Sequence, residues 1–121
     1  AALRAVLKSV TKYTNNTGNS SAASAVTATT DYFFLLSEYE VFGSTTYANS
    51  NEASKQAQYS YYSAGNSKVK YNHSATSTAV TWWLRSPLAS YSTRFVSVYA
   101  DGTVSGRYAD YSLGFAPGFC V

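Results

Sequence analysis

Residues 81 to 87 read TWWLRSP, and they hold both tryptophans of a 121-residue chain. Few folds can take two adjacent indoles followed at once by an arginine. Pro87 favours an extended Ser86, and in an extended segment alternation sends Trp82 and Leu84 to one face and Trp83 and Arg85 to the other. A tryptophan needs a partner for its ring nitrogen, and an arginine inside a small domain needs carbonyls or a carboxylate. The expectation is therefore a central strand whose arginine is clamped by loop carbonyls and stacks on an aromatic ring, tying distant loops together. On this reading Trp82, Trp83 and Arg85 belong to the scaffold and not to a contact surface.

A chain of this length is one domain, residues 1–121, able to bury about two-thirds of its unfolded surface without disulfide staples. In AALRAVLKSVTKY, Leu3, Val6, Leu7 and Val10 fall at helical spacing, which predicts an amphipathic helix over 2–13. TNNTGNSSAASAVTATT, residues 14–30, has no period and reads as a long loop, mobile at its tip near Gly18. Residues 32–36 suit a buried strand. Ser37 and Glu40 have the spacing of a capping box, with Leu36 and Val41 as its staple, so a short helix follows and ends near Gly43. Residues 44–53 read as loop, 54–64 as a second short helix, and the polar stretch to about 78 as irregular.

After Pro87 the pattern turns to strands. Asp101-Gly102 suits a tight primed turn between strands 95–100 and 103–108, with either Phe95 and Tyr99 or Val96 and Val98 facing inward. Phe115, Phe119 and Val121 step by two toward a terminal strand with Cys120 as a buried thiol, and Pro117 marks an edge or bend. Helices first and strands after give an α+β class: two or three short helices on a small, twisted, mainly antiparallel sheet.

Little chemistry for catalysis is present. Cys120 and His73 form the sole thiol and imidazole pair, and they sit in unlike surroundings; Glu38 and Glu40 point in different directions on a short helix. Asp101 reads as a turn residue, and Asp110 as solvated or paired with an arginine. The sequence offers no zinc or calcium ligand set, so no metal and no cofactor is expected, and no enzyme activity. A net charge of +3 without a basic run argues against nucleic acid, and the lack of a long apolar run against membrane insertion. Asn15, Asn19 and Asn72 head Asn-x-Ser/Thr triplets, which arise by chance in a chain so rich in serine and threonine.

Charged residues make up 12% and aromatic residues 17%, twelve of them tyrosines. Rigid amphipathic rings beside short hydrogen bonders are the chemistry of recognition surfaces. Tyr91, Ser92, Thr93, Arg94, Tyr99, Asp101, Arg107, Tyr108, Asp110 and Tyr111 lie in or beside the 95–108 hairpin and its flanking loops and are the expected ligand-binding residues, about half of them sharing one exposed surface.

DYFFLLSEYEVFGS, WWLRSP, a strand with ADG at its turn and a closing GFAPGFCV resemble, in order and spacing, an uncharacterised domain family of gut bacteria and their phages. Ala116 stands where that family often has an arginine, so a second buried cation is not implied. The resemblance implies a C-type-lectin-like architecture, similar also to the formylglycine-generating enzyme and to retroelement-diversified binding proteins. It further implies a recognition domain at the C-terminal end of a larger virion or bacterial surface protein. The implied partner is a protein or carbohydrate on a host cell surface, with self-association running through the parent protein. The calcium-lectin motifs Glu-Pro-Asn and Trp-Asn-Asp do not occur. The alternative is a capsid or fibre decoration module whose tyrosines pack on neighbouring subunits.

Overall fold

The computed structural model describes residues 2–121. It is a mixed α+β fold of three small sheets and a few short helices, in the order α1 (Ala2–Val6), β1 (Val10–Asn15), β2 (Val26–Asp31), α2 (Glu38–Phe42), α3 (Ser60–Ser63), β3 (Lys70–Asn72), β4 (Ala75–Val80), β5 (Trp82–Pro87), β6 (Arg94–Val98), β7 (Val104–Tyr108) and β8 (Gly114–Phe115). β1 pairs with β2 and β3 with β4 as antiparallel ribbons, and the main sheet runs β7-β6-β5-β8. Among the described residues only the β5–β8 pairing is parallel.

The WWLRSP segment is the interior strand it was expected to be. Trp82, Leu84 and Ser86 are buried on one face of β5, while Trp83 and Arg85 take the other. Trp82, only 1% exposed, packs with Leu84, Leu88, Val41, Val96 and Val98, and its Nε1 donates to the Lys68 carbonyl at 3.0 Å. Val96 and Val98 face this core, and Phe95 and Tyr99 face out, which resolves the ambiguity of the hairpin.

Several local expectations were overturned. The helix predicted over 2–13 stops at Val6, and residues 10–15 with 26–31 form a ribbon where the end of that helix and a long loop over 14–30 were expected. Val10, Thr11 and Thr14 are β-branched and answer the β-branched run Val26, Thr27, Thr29 and Thr30 across the ribbon, a pairing that outweighs an accidental helical spacing. The β1–β2 tip is docked and not loose: the Asn19 amide donates to the Leu88 carbonyl at 3.1 Å. Residues 32–36 form no strand beyond a bridge from Phe34 to Gly118. The helix expected over 54–64 shrinks to Ser60–Ser63, preceded by a 3-10 turn over Ser50–Lys55. The polar stretch after it holds the β3–β4 ribbon.

The 99–103 connection has a three-residue loop, with Tyr99 N–H bonded to the Thr103 carbonyl and Gly102 at φ 91°. In the terminal segment Cys120, expected as a buried thiol, is only half-buried. Phe115, Phe119 and Val121 are exposed, whereas Gly114, Ala116, Gly118 and Cys120 are half-buried. Gly118 fixes which side faces inward, since a Cβ there would lie 2.9 Å from the Phe34 ring. The terminal segment returns to the start of the chain, where the Lys8 N–H donates to the Cys120 carbonyl at 2.9 Å.

The capping box is present as expected. Ser37 Oγ accepts from the Glu40 amide, Glu40 Oε2 accepts from the Ser37 amide, and α2 ends on Gly43 in the left-handed conformation. Beneath α2, Arg85 reaches across the fold. Its Nη1 donates to Glu40 Oε2 at 2.6 Å and to the Leu35 carbonyl at 2.8 Å. Nη2 donates to Gln56 Oε1 and the Tyr13 carbonyl, and Nε to Thr14 Oγ1 at 2.9 Å. The carbonyl clamp is thus present, but the stacking partner expected for Arg85 is replaced by a carboxylate, an amide and a hydroxyl. Lys12 completes the cluster, its ammonium 2.6 Å from Glu40 Oε1 and 4.1 Å from the Phe34 ring centre.

Candidate functional site

The ten residues expected to bind a ligand do not share one surface. Arg94 pairs with Tyr108 and Phe95 with Arg107 in the β6–β7 register, so Arg94 and Tyr108 project to one side of the hairpin and Tyr99 and Arg107 to the other. Tyr99 and Arg107 form their own pair, guanidinium carbon 5.4 Å from the ring centre. Asp101 stays in the turn, where its Oδ1 accepts from the Thr103 amide and hydroxyl, and these bonds hold its carboxyl below the ordinary aspartate range.

The remaining seven residues gather at the opposite end of the hairpin. Leu88 N–H to the Arg94 carbonyl closes a loop over 89–93, and Ala109 N–H to the Thr93 carbonyl joins this loop to the end of β7. A turn from Tyr108 to Tyr111 then sets their rings 6.1 Å apart. Arg94 lies at the centre, its guanidinium carbon 4.4 Å from the Tyr91 ring centre and 4.3 Å from that of Tyr108. The guanidinium makes one hydrogen bond among the described residues, from Nη2 to the Tyr108 hydroxyl at 2.7 Å, and its Nε is turned inward without an acceptor. Bonding to Tyr108 holds the Arg94 pKa above its ordinary value. Ser92, Thr93 and Asp110 are exposed around this centre, and among the described residues Asp110 has no arginine within ion-pair distance.

This cluster can present flat apolar rings with one held cation among them, a combination that suits a carboxylate, a carbonyl-rich peptide or a sugar. Its backbone is fixed from behind. At Gly18, on the β1–β2 tip, a Cβ would lie 2.6 Å from the Tyr91 carbonyl oxygen and 2.9 Å from Ser92 Cα. Only glycine lets the tip come this close to the 89–93 loop. The Ala89 amide is held by the Tyr47 carbonyl at 2.8 Å.

Sequence reasoning missed two of the three buried glutamates. Glu38 accepts from the amides of Thr46, Tyr47 and Ala48, and so fastens the 44–48 loop. Glu52 accepts from the Asn15 amide and from Ser86 Oγ, and Ser86 Oγ in turn accepts from the Glu38 amide at 3.1 Å. Burial pushes the Glu38 and Glu52 carboxyls above the ordinary glutamate range despite these donors. Burial acts on Glu40 as well, but the hydrogen bond and charge of Arg85, with help from Lys12 and the Ser37 amide, bring it below that range. The signal for Glu38 was its place as first residue after the cap, inside an apolar run. Glu52, in a polar stretch, carried none. Asn15, the head of one sequon, is buried, and its Nδ2 is bonded to the Ser20 carbonyl.

A family described as Domain of unknown function (DUF6273) matches the chain over residues 1–121. No curated protein and no solved structure matches it.

Proposed function

The chain belongs to the DUF6273 family, and on that premise we propose that it is a non-enzymatic recognition domain that binds a protein or glycan through the Tyr91–Arg94–Tyr108–Tyr111 cluster. The observation that carries this reading is Arg94, held between two tyrosine rings with one hydrogen bond. A cation held by rings is already oriented, so it binds an anionic or carbonyl group with little further loss of rotamer freedom. Ser92, Thr93 and Asp110 supply polar contacts around it, and Tyr99, Asp101 and Arg107 fall outside this site. No helix among the described residues is long and apolar enough to cross a membrane.

The same reading takes the fold as C-type-lectin-like and the 88–113 segment as one that retroelement-driven diversification would vary. It also takes the parent as a virion or bacterial surface protein. Support comes from the meeting of residues 8 and 120, from the tryptophan-rich interior strand, and from the exposure of Tyr91, Ser92, Thr93, Tyr108, Asp110 and Tyr111 in or beside loops outside the buried network. The experiment is a double variant, Tyr91→Ala with Tyr111→Ala, both at exposed positions. The expected result is an unchanged melting temperature with loss of binding to host cells or glycan arrays. Retained binding would overturn the site.

A second reading, as a decoration module, is favoured by one observation: Phe33 and Phe119 meet edge-on, 6.0 Å apart, while both are about half exposed. Loss of particle assembly on Phe119→Ser, with ligand binding intact, would support it.

A further inference from the structure

A second candidate site lies away from the Arg94 cluster, in an open groove of about 750 Å³ between the β3–β4 ribbon and β8. Its volume falls in the range of small-ligand sites. Lys70, Tyr71, Asn72, His73, Trp82 and Phe115 are among its lining residues, and no carboxylate lines it among the described residues. Two rings are open to water on its walls, Tyr71 at 57% and Phe115 at 72% exposure. Trp82 is too buried to be a platform, but its ring lies 5.6 Å from the Lys70 ammonium, which also sits 6.0 Å from the Tyr62 ring. Lys70 is therefore steadied by ring faces and, among the described residues, has no carboxylate within ion-pair distance.

We propose that this groove binds an oligosaccharide bearing carboxylates, such as a uronic or sialic acid chain. Tyr71 and Phe115 would take the apolar C–H faces of the sugar rings, Lys70 a carboxylate, and Asn72 and His73 hydroxyl or carboxylate oxygens. Charge complementarity selects the acid. Glu38, Glu40 and Glu52 are buried, which leaves Asp31, Asp101 and Asp110 as the acidic groups outside the core, and none of these lines the groove. An acidic peptide is disfavoured because a peptide joining a sheet edge needs a row of free backbone groups. β8 has two residues and is followed closely by Pro117, which has no N–H to donate.

The test is titration calorimetry of the 121-residue chain with short oligogalacturonates, hyaluronan oligosaccharides and 3′-sialyllactose. Neutral xylo-oligosaccharides and a poly-glutamate peptide serve as comparisons. Expected is saturable binding to at least one of the three acidic sugars. It should weaken with added salt, fall about tenfold or more in Lys70→Gln, Tyr71→Ala and Phe115→Ala, and stay unchanged in Tyr99→Ala, an exposed position that belongs to neither site. Tyr71 and Phe115 are exposed, so their variants keep the test open if Lys70→Gln loses its fold. Absence of binding to all three acidic sugars overturns the proposal. So does equal binding of the peptide, or loss of binding in Tyr91→Ala with the groove variants unaffected. Because Tyr91 belongs to the other site, failure here and failure of that site give different results.

Discussion

Arg85 and Arg94 sit nine positions apart, each beside tyrosine residues, yet their surroundings are opposite. Arg85 is bonded by all three of its nitrogens to five acceptors drawn from β1, α2 and the segments around them. Arg94 has two rings and one hydroxyl. A guanidinium whose donors are spent on the chain's own oxygens is a fastener, and removing it strands a buried carboxylate. A guanidinium held by ring faces keeps donors in reserve, and removing it strands nothing. The difference separates scaffold from surface more sharply than residue type does.

The largest effect that would break this contrast is at Arg85. Arg85→Ala leaves Glu40 buried with only Lys12 as a counter-charge and should cost about 3–5 kcal/mol, a large share of the stability of a small domain. Urea unfolding would measure it, and Arg85→Lys should recover only part, since an ammonium lacks the fork. Ser86→Ala removes the hydroxyl between Glu52 and the Glu38 amide and should cost about 1–3 kcal/mol by the same measurement.

The pH dependence sharpens the contrast within the buried network. The contribution of Glu40 is present above the unfolded glutamate value of about 4.3 and is lost as pH falls through its lowered folded value. Those of Glu38 and Glu52 run the other way: fully present below about 4.3 and lost as pH rises through their raised folded values. Unfolding midpoints measured across pH should therefore lose their acid-side decline in Glu40→Gln, and lose part of their decline above it in Glu52→Gln. Smaller still is Gly18→Ala, which should cost about 1 kcal/mol while displacing the 89–93 loop and weakening ligand binding. Smallest is Tyr108→Phe, which should leave the melting temperature unchanged and reduce only ligand affinity; a clear loss of stability would make Arg94 a second fastener.

The interior strand, the capping box and the last-sheet hairpin were legible because each rests on local chemistry: alternation in WWLRSP, Ser37 three before Glu40, Asp101-Gly102 between β-branched runs. The β1–β2 ribbon was not, because residues 3–10 satisfy a helical spacing and the partner strand lies across a ten-residue connection. Its pairing is a non-local fact. The inward side of the terminal segment was not legible either, since Gly118 against Phe34 fixes it and nothing in GFAPGFCV says what it meets. At the candidate site the residue types were legible, but the register that sends Arg94 and Tyr108 to one side and Tyr99 and Arg107 to the other was not. Lys70, Tyr71 and Phe115 come together across the β3–β4 ribbon and β8, so no window of sequence contains their groove.

Because Trp82 and Trp83 are consecutive in β5, one indole is sealed in and the other leans on Phe95 at the outer surface, ring centres 6.5 Å apart. The molecule thereby carries two fluorophores of different polarity without any added label. Blue-shifted emission follows the integrity of the interior, and a quencher dissolved in the buffer reaches only the outer indole. Single-tryptophan versions with phenylalanine at the other position would report unfolding and events at the outer sheet surface as separate optical channels.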